Sequence, residues 1–365
     1  MTEQLDRRNF LGRGLMGAAG LAAVGVAGPG LLAACSSSDS GTSTTGGTSA
    51  SGGTDFGVLD YQFSWIKNTE FAGQYIADQK GYYKDAGFSS VNFMAGGPTV
   101  QQDSIVASGK AFIGVSAPDI AAPAIIGGAP IIAIGALFQK NPFCVMSLES
   151  NPLPDPESMV GKKVGVQAVN EPVWNAFLTA NKIDPASIEK VPVQFDPTPL
   201  TQGEVDGWFS FVTNEPNLLK HEGIDTVNFL LNDHNYPLVS QIVIVQTKSL
   251  QADRDKLKAV LKADVMGWRE SVKDPTLGPK YTVETYGTDL GLDESEQVLE
   301  SEAQNALIMT GDTEKNGIFT MTDAILEDTM ATLKLAGVEI EADKLFDLSI
   351  INEFYEENPD LKPPL

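Results

Sequence analysis

The stretch GEVDGWFSFVTNEPNLLKHEG, residues 203–223, contains the pattern that decides the fold. A short strand-like run, GWFSFV, ends at Asn-Glu-Pro, and a helix-like run follows it. The same triplet recurs at 170–172 in VQAVNEPVWNAFL, again between a strand-like and a helix-like run. A strand that leads through a short loop into a helix is the repeating unit of a parallel sheet. The two triplets therefore predict two equivalent strand-to-helix junctions.

The same alternation of strand-like and helix-like runs extends on both sides of this stretch. Strand-like runs begin at 58, 91, 111, 131, 162, 189, 207, 226 and 241, and after Ser249 the sequence is predicted to be mostly helical. About 300 residues take part in this pattern, which exceeds the size at which a single hydrophobic core usually divides. The sequence thus predicts an α/β protein with two lobes.

Two segments are interpreted as crossings between the lobes. Residues 147–165 are rich in turn-forming residues, and residues 236–250 are extended in character. Lobe 1 is then expected to contain 57–147 and 248–365, and lobe 2 to contain 148–247. The helices after the second crossing are expected to pack around lobe 1.

The N-terminal residues predict export. Residues 1–34 have the order of a twin-arginine lipoprotein signal peptide, in which Arg7 and Arg8 precede a mildly apolar run that ends in LAAC. Cys35 is therefore predicted to be the lipidated first residue of the mature protein, anchored at the outer face of the cytoplasmic membrane. Residues 35–56 are rich in Ser, Thr and Gly and are predicted to form a flexible tether.

Charge and cysteine content exclude several classes of function. The formal net charge of −23 disfavours nucleic acid and anionic lipid surfaces as partners. Cys144 is the only cysteine besides Cys35, so no intramolecular disulfide is expected in the mature chain. A single cysteine in an apolar run is typical of a buried and unreactive side chain.

The loops that leave the carboxyl ends of parallel strands lie on one edge of the sheet, where ligands bind. The junctions predicted at this edge are WIKNTEF at 65, GGPT at 96, SAPD at 116, VNEPVW at 169 and TNEPNL at 213. A proline in the first helical turn restricts the residue before it to an extended conformation. Glu171 and Glu215 are therefore expected to present free carboxylates to a ligand. A second interpretation is that each triplet only caps its helix.

Tryptophan side chains lie close to these junctions. Trp65 is in the first junction, and Trp174 and Trp208 lie beside the two triplets. An indole near polar groups can stack on a flat ring, although packing in the core is its commoner role. Both interpretations stay open from the sequence alone.

The blocks WIKNTEFAGQYIADQKGYYKDAGFSSVNFMAGGPTVQQDSIVASGKAFIGVS and FDPTPLTQGEVDGWFSFVTNEPNLL resemble a known family. They are similar to the solute-binding proteins of ABC importers in the thiamine-pyrimidine-precursor group, which are related to proteins that bind nitrate, sulfonates, taurine or riboflavin. The resemblance implies a type II periplasmic-binding-protein fold, with two α/β lobes joined by two crossing segments and the ligand cleft between them. It also implies a monomer without a cofactor, whose ABC permease and ATPase partners are other chains.

Carried over position by position, the resemblance implies a set of residues in the ligand cleft. The set comprises Trp65, Asn68, Gly96, Gly97, Ser116, Trp174 and Glu215, together with Glu70, Asp119, Glu171, Trp208 and Tyr236.

An enzymatic function is less well supported by the residues. A fungal branch of the same superfamily that makes the thiamine pyrimidine has a histidine at the position of Phe71 and a cysteine-rich run, and this sequence has neither. His221 is predicted to lie at a helix end, and His234 lies in a loop that could touch a ligand. We therefore predict no catalytic residue and no metal site.

The sequence also argues against a calcium-binding loop and against a surface interaction protein without a ligand. The acidic loop at 287–296 lacks the ligand spacing of an EF-hand, and its DESE is predicted to open a helix. An edge of polar and aromatic loops is more typical of a ligand-binding protein than of a surface interaction protein.

Arginine content bears on the ligand. Beyond Cys35 the only arginines are Arg254 and Arg269, both in a predicted helix after the second crossing. Nitrate or a sulfonate favours the planar fork of arginine, whereas an acidic and aromatic edge suits a flat heterocycle with N–H donors. The sequence therefore predicts a thiamine-type pyrimidine or a related heterocycle. An anion held by backbone N–H groups remains a second possibility.

Overall fold

The computed structural model describes residues 54–363. The predicted signal peptide, Cys35 and most of the predicted tether lie outside the described residues. Thr54 and Asp55 are exposed, and the chain joins the first sheet at Phe56, whose N–H donates to the Gly87 carbonyl at 2.8 Å. None of the helices in the described part of the chain combines the length and the apolar character that crossing a bilayer requires.

Strands account for the first part of the described chain. In order they are β1 Gly57–Gln62, β2 Phe88–Met94, β3 Ile113–Ser116, β4 Ile131–Phe138, β5 Phe143–Leu148, β6 Lys163–Gln167, β7 Glu189–Val193, β8 Gly207–Phe211, β9 Thr226–Leu230 and β10 Ser240–Gln246. The nine strand-like runs predicted from the sequence are confirmed, and β5 is an additional strand.

Helices lie between the strands and form the whole region after β10. They are α1 Ala72–Gln79, α2 Tyr82–Asp85, α3 Gln102–Ala107, α4 Pro118–Ile126, α5 Glu171–Ala180, α6 Thr198–Thr201, α7 Glu215–His221, α8 Ser249–Ala252, α9 Arg254–Lys273, α10 Leu277–Tyr281, α11 Glu294–Ile308, α12 Thr313–Asn316, α13 Asp323–Leu335, α14 Ala342–Leu345 and α15 Ser349–Glu357. The predicted helical character of the C-terminal region is confirmed.

The strands form two sheets of the same design. The first has the order β2-β1-β3-β10-β4 and the second the order β7-β6-β8-β5-β9. In each sheet three neighbouring strands are parallel, and one strand runs antiparallel to its neighbours: β10 in the first sheet and β5 in the second. Each antiparallel strand directly follows a crossing from the other sheet. We call the first sheet with its helices the first lobe, and the second sheet with its helices the second lobe.

The crossings differ in position from the prediction. The chain leaves the first sheet between β4 and β5, at residues 139–142, and returns between β9 and β10, at residues 231–239. The first crossing has no signal in the sequence, because only four residues separate two fully apolar runs. The turn-rich segment at 147–165 instead lies within the second lobe, where Asp155 and Ser158 form a capping box for the turn at Pro156–Met159.

The two crossings contact each other. Asn141 Nδ2 in the first crossing donates to the Tyr236 carbonyl in the second at 3.2 Å, and Asn141 Oδ1 accepts from the Phe143 N–H at 2.9 Å. Asn141 is buried, so these bonds replace the water that its amide would otherwise contact. The pair of crossings therefore forms one connected hinge.

The C-terminal helices contact both lobes, and not the first lobe alone as expected. Helix α9 packs on α1, and α15 packs on α9 and β4, all in the first lobe. Helix α11 also contacts α7, and α13 contacts α5, both in the second lobe. Thr332 of α13 donates from Oγ1 to the Pro237 carbonyl at 2.8 Å, which ties this helix to the second crossing.

Candidate functional site

A cavity lies where the two sheets face each other. The carboxyl ends of β1 and β3 and the start of β10 approach it from the first lobe, and the ends of β6 and β8 approach it from the second. The lining residues are Ser64, Trp65, Glu70, Gln102, Ser116, Ala117, Ile120, Phe143, Gln167, Val169, Asn170, Phe209, Ser210, Phe211, Asn214, Glu215, Ser240 and Gln241. The cavity thus occupies the edge at which parallel sheets bind ligands.

The Gly-Gly-Pro turn supports the loop that carries Trp65. Gly96 N–H donates to the Trp65 carbonyl at 2.8 Å, and a Cβ at Gly96 would lie 2.4 Å from the carbonyl carbon of Ser64. Only glycine allows the two backbone segments to approach this closely. The Pro98 carbonyl then accepts from the Val169 N–H of the second lobe at 2.8 Å. Gly96 and Gly97 therefore shape the cavity from behind and do not line it.

The carboxylate of Glu70 is held by three side chains from different parts of the fold. Oε1 accepts from Ser64 Oγ at 3.3 Å and from Gln241 Nε2, and Oε2 accepts from Asn214 Nδ2 at 3.2 Å. Asn214 belongs to the second lobe, so this bond joins the lobes across the cavity. Burial raises the pKa of Glu70 to about 7, against the lowering effect of its hydrogen bonds from Asn214, Gln241 and Ser64.

Glu215 is the equivalent carboxylate of the second lobe. It is the first residue of α7, follows the turn after β8, and is buried. Its Oε2 accepts a hydrogen bond from Ser210 Oγ at the end of β8. Burial raises the pKa of Glu215 to about 7, and the negative charges of Glu70 and Glu296 act in the same direction.

Two further buried carboxylates lie close to this pair. Burial raises the pKa of Glu296 and of Glu300, both on α11, and for Glu300 the charges of Glu296, Glu70 and Glu215 add to the effect. Glu300 Oε1 accepts from Asn68 Nδ2 at 2.7 Å. Among the described residues that line the cavity there is no Lys, Arg or His. The site therefore groups four buried carboxyl groups without a cationic side chain among its described lining residues.

Aromatic rings form the apolar wall of the second lobe. Phe143 stacks on Phe209, with ring centroids 4.8 Å apart, and meets Phe211 edge-on at 4.5 Å. Successive side chains of a strand point to opposite faces, so Phe209 and Phe211 face the cavity side while Trp208 points away from it. Trp208 is fully buried in a separate core cluster with Met146 and Leu200.

Of the twelve predicted cleft residues, four line the cavity: Trp65, Glu70, Ser116 and Glu215. Trp174 is buried one layer behind it, edge-on to Phe209 with centroids 5.6 Å apart. Asn68 caps the turn at Thr69–Phe71, where its side chain accepts from the Glu70 N–H. Asp119 and Tyr236 bond to each other, with Tyr236 Oη donating to Asp119 Oδ2 at 2.8 Å. Both lie outside the cavity lining.

The two Asn-Glu-Pro triplets have different environments. Glu171 is exposed, lies outside the cavity lining and forms an ion pair with Lys190. A single turn at Ala168–Asn170 precedes α5 and carries Glu171 past the cavity edge, whereas Asn170 lines the cavity. Glu215 also follows a short turn after its strand, but it is buried and lines the cavity.

The groups considered for other functions lie away from the cavity. Cys144 is fully buried in β5, and burial raises the pKa of its thiol well above the usual range. His221 Nε2 is 3.6 Å from Asp293 Oδ1, and the His234 ring packs edge-on to Phe229. Asp293 caps α11 through the N–H groups of Ser295 and Glu296. The prediction that DESE opens a helix is confirmed.

Several lining residues were not predicted. Asn214 was interpreted only as part of a junction, and Gln102, Ser240 and Gln241 were not considered. Gln241 has a φ of +52° although it is not glycine, a conformation that costs of the order of 1 kcal/mol. The one available signal was the polar Ser-Gln pair directly before the apolar run IVIV.

A model of the NMT1/THI5-like family matches residues 68–277, which include most of both cavity walls. The chain is 23% identical to the formylaminopyrimidine-binding protein of Halalkalibacterium halodurans over 60% of this chain and 67% of that protein. It is 24% identical to the riboflavin-binding protein RibY of Chloroflexus aurantiacus over 58% of this chain and 62% of that protein. The matched region spans about two thirds of each relative's length.

Among solved structures, the chain is similar to the periplasmic nitrate-binding protein NrtA from Synechocystis PCC 6803. The TM-score is 0.61 with 11% sequence identity, over 84% of this chain and 91% of that one. At this level of identity the likeness concerns the fold. It confirms the two-lobed α/β fold of periplasmic binding proteins.

Proposed function

Because this chain belongs to the NMT1/THI5-like family, we propose that it is the extracytoplasmic solute-binding component of an ABC importer. Its ligand is a small nitrogen heterocycle, a thiamine-type pyrimidine or a close relative, which it captures between its two lobes and delivers to a permease. The observation that carries this proposal is the composition of the cavity: two buried carboxylates, one indole and three phenyl rings, with no cationic side chain among the described lining residues.

The buried carboxylates favour a ligand with N–H donors. Glu70 and Glu215 each have acceptor capacity beyond the bonds that they already make, since a carboxylate has about four lone-pair sites. An aminopyrimidine presents N–H groups along one edge and an apolar ring face that Trp65, Phe143, Phe209 or Phe211 can contact. Such a ligand supplies hydrogen-bond donors to the two carboxyl groups, which have no cationic partner in the described cavity lining.

The same carboxylates disfavour an anionic ligand. Nitrate or a sulfonate would be desolvated beside Glu70 and Glu215, and no arginine fork would compensate. Arg254 bonds to Glu353, and Arg269 donates to the carbonyls of Leu361 and Lys362, all on the C-terminal helices and tail. Riboflavin remains the second candidate, supported by the similarity to RibY.

A binding role accounts better for the cavity than an enzymatic one. Ser210 is hydrogen-bonded to Glu215, and the described cavity lining contains no histidine. Cys144 lies opposite Ser210 on β5, but burial and the charge of Glu215 raise the pKa of its thiol well above the usual range, which disfavours a nucleophilic thiolate. Cys144 and both histidines of the described chain lie outside the cavity lining. We therefore propose capture and release of an unchanged ligand.

The proposal extends to location and partners. Export through the twin-arginine signal at 1–34 and lipidation at Cys35 would hold the lobes at the outer face of the cytoplasmic membrane, with 35–56 as the tether. The permease and the ATPase would be other chains, and the protein itself a monomer. Judged by the sheet that each strand joins, the chain would cross between the lobes at 139–142 and 231–239 instead of at the positions expected from the sequence.

Calorimetry on the purified chain tests the proposal, and the two triplets supply a matched pair of variants. We expect binding of an aminopyrimidine and no measurable heat with taurine, an alkanesulfonate or nitrate. Glu215→Gln should weaken aminopyrimidine binding by about 10- to 100-fold, the usual value of a hydrogen bond to a charged group. Glu171→Gln, the same change in the exposed triplet, should leave binding unchanged.

The outcome that would contradict the proposal is tight binding of a sulfonate or nitrate that is insensitive to Glu215→Gln. Tight binding of riboflavin without aminopyrimidine binding would select the second candidate. Conversion of the bound compound during the measurement, detected by mass spectrometry, would establish an enzyme instead.

A further inference from the structure

Three polar side chains of the first-lobe wall, Gln102, Ser116 and Ser240, each have a buried atom without a hydrogen-bond partner among the described residues. The Ser116 hydroxyl lies beside the buried carboxyl group of Asp103 and lowers the pKa of that group. Gln102 is the first residue of α3, and Ser240 is the first residue of β10. Both line the cavity, and their side chains are 1% and 2% exposed. Among the described residues, Gln102 Oε1 and Ser240 Oγ make no hydrogen bond. Leaving a buried polar atom without a partner costs about 1–3 kcal/mol, so a ligand that covers these two atoms must supply partners for them.

Apart from Ser116, the other polar groups of the cavity differ from Gln102 and Ser240, because they have hydrogen-bond partners. Glu70 and Asn214 bond to each other, Ser210 bonds to Glu215, and Gln167 Nε2 donates to the Phe209 carbonyl at 3.0 Å. Gln102 and Ser240 approach the cavity from one side, because α3 packs directly against β10. Unsatisfied polar atoms are therefore concentrated on the first-lobe wall, whereas the carboxylates of Glu70 and Glu215 already have hydrogen-bond partners.

The chemistry of this pair limits what it can bind. A serine hydroxyl both donates and accepts, and an amide oxygen accepts. Together they match a hydroxyl or an amide N–H, which are neutral groups that can donate. An anionic substituent is disfavoured, because Asp103 follows Gln102 directly and its carboxyl group is buried as well.

We infer that Gln102 and Ser240 form a second recognition point, which binds a neutral hydroxyl or amide substituent on the heterocycle. This inference rests on the proposed function, in which Glu70 and Glu215 bind the N–H groups of the same ligand. It predicts that the protein distinguishes substituted pyrimidines from otherwise identical compounds without the polar substituent. The compound without the polar substituent should bind more weakly, because it would leave Gln102 and Ser240 buried without a hydrogen-bond partner.

A double-mutant cycle between ligand and protein tests the inference. The probes are an aminopyrimidine with a hydroxymethyl substituent and the same aminopyrimidine with a methyl group in its place. We expect the wild type to prefer the hydroxymethyl compound by about tenfold, corresponding to one buried hydrogen bond. Gln102→Leu and Ser240→Ala should each reduce that preference without weakening the binding of the methyl compound.

Matched controls separate recognition from packing. Gln101→Leu changes the adjacent but exposed glutamine, and Ser271→Ala removes a buried, unpartnered hydroxyl outside the cavity lining. Both controls should keep the full preference. The melting temperatures of free Gln102→Leu and Ser240→Ala check that both variants remain folded.

Two results would overturn the inference while leaving the proposed function intact. One is equal affinity of the wild type for both probes, and the other is an unchanged preference in both cavity variants. If neither probe binds the wild type, the proposed function is wrong and this inference is wrong with it.

Discussion

Glu70 is the residue through which the cavity links the two lobes. Its carboxylate accepts hydrogen bonds from Gln241 of strand β10, from Asn214 of the second lobe and from Ser64 of its own loop. Gln241 reaches it from a left-handed backbone conformation, which is unfavourable for a residue with a side chain. Such strain persists only where the surrounding contacts compensate for it, which is common at binding sites.

The raised pKa of Glu70 makes binding dependent on pH. An ionised carboxylate binds a ligand N–H group more strongly than a protonated carboxyl group does, and burial raises the pKa of Glu70 and of Glu215 to about 7. For a probe that does not itself titrate in this range, affinity should rise with pH up to about pH 7, by at most about tenfold per unit for each carboxylate that must ionise. Calorimetric titrations across this range measure the slope.

Glu70→Gln and Glu215→Gln should each flatten that slope, because the substituted amide has no proton to lose. Glu171→Gln, at the exposed triplet, should leave it as in the wild type. A wild-type affinity that falls as the pH rises toward 7 would contradict this account of the site.

Some cavity residues could be located from the sequence, through the family resemblance and through the junctions that follow predicted strands. Trp65, Glu70, Ser116 and Glu215 lie at carboxyl ends of strands, and the cavity is at that edge. The sequence could not separate Glu171 from Glu215, because each lies four residues after the last residue of its strand and the two differ only in their burial in the folded protein. Nor could it indicate Gln102, whose position depends on how α3 packs against β10.

At the scale of elements, the contact between α1 and α9 depends on two glycines. A Cβ at Gly267 of α9 would lie 2.0 Å from the Gly73 carbonyl oxygen, and a Cβ at Gly73 of α1 would lie 2.4 Å from the Trp268 ring. The two helices therefore cross with their backbones in contact. This crossing supports the wall that carries the Trp65 loop, because α1 follows that loop directly.

Gly267→Ala should consequently destabilise the protein. The new methyl group meets backbone atoms that cannot rotate away, and overpacking of this kind costs about 1–3 kcal/mol. Gly311→Ala is the control, since a Cβ there has no atom within 4 Å. Thermal unfolding should show a lower melting temperature for Gly267→Ala only, and equal melting temperatures for the two variants would mean that the helices do not cross this closely.

The elements themselves were largely predictable, but their assignment to sheets was not. Alternation of apolar residues identified nine strands, because each is flanked by turn residues or by a helix-like run. Strand β5 was missed because residues 139–142 are too short a link to indicate a change of sheet. The sheet order β2-β1-β3-β10-β4 depends on β10 returning to the first lobe, which is a long-range pairing that local sequence does not encode.

For the whole molecule, closure of the lobes should accompany binding. The Asn214–Glu70 and Val169–Pro98 hydrogen bonds join the lobes beside the cavity, and a ligand that contacts both walls stabilises this closed arrangement over an open one. Trp65 is the only tryptophan among the described cavity-lining residues. Ligand should therefore change the tryptophan emission and decrease the radius of gyration measured by X-ray scattering.

The source of the emission change can be identified with two variants. Trp65→Phe should remove most of it, while Trp208→Phe, in the separate core cluster, should leave it in place. An unchanged radius of gyration at saturating ligand would mean that binding occurs without closure.

The stability of the whole molecule should fall as the pH rises through neutrality. Burial raises the pKa of Glu70, Glu215 and Asp264 to about 7, and that of Asp103 and Asp119 to about 6. In the unfolded chain these groups titrate near their ordinary values of 4.5 for Glu and 3.8 for Asp. Between those values and about pH 7 the folded protein binds more protons than the unfolded chain, so stability decreases with increasing pH.

A shift of this size corresponds to at most roughly 3–4 kcal/mol for each group. The melting temperature of the free protein should therefore be clearly higher near pH 5.5 than near pH 8, and the wild-type increase caused by an aminopyrimidine should be larger at the higher pH, where the carboxylates need its N–H groups. Asp264→Asn provides a control away from the cavity, because Asp264 accepts from Tyr61 Oη and Tyr83 Oη in the core of the first lobe. That variant should reduce the pH dependence of stability while leaving the ligand affinity as it is. A free-protein melting temperature that rises from pH 5.5 to pH 8 would show that these carboxylates are not protonated in the folded state.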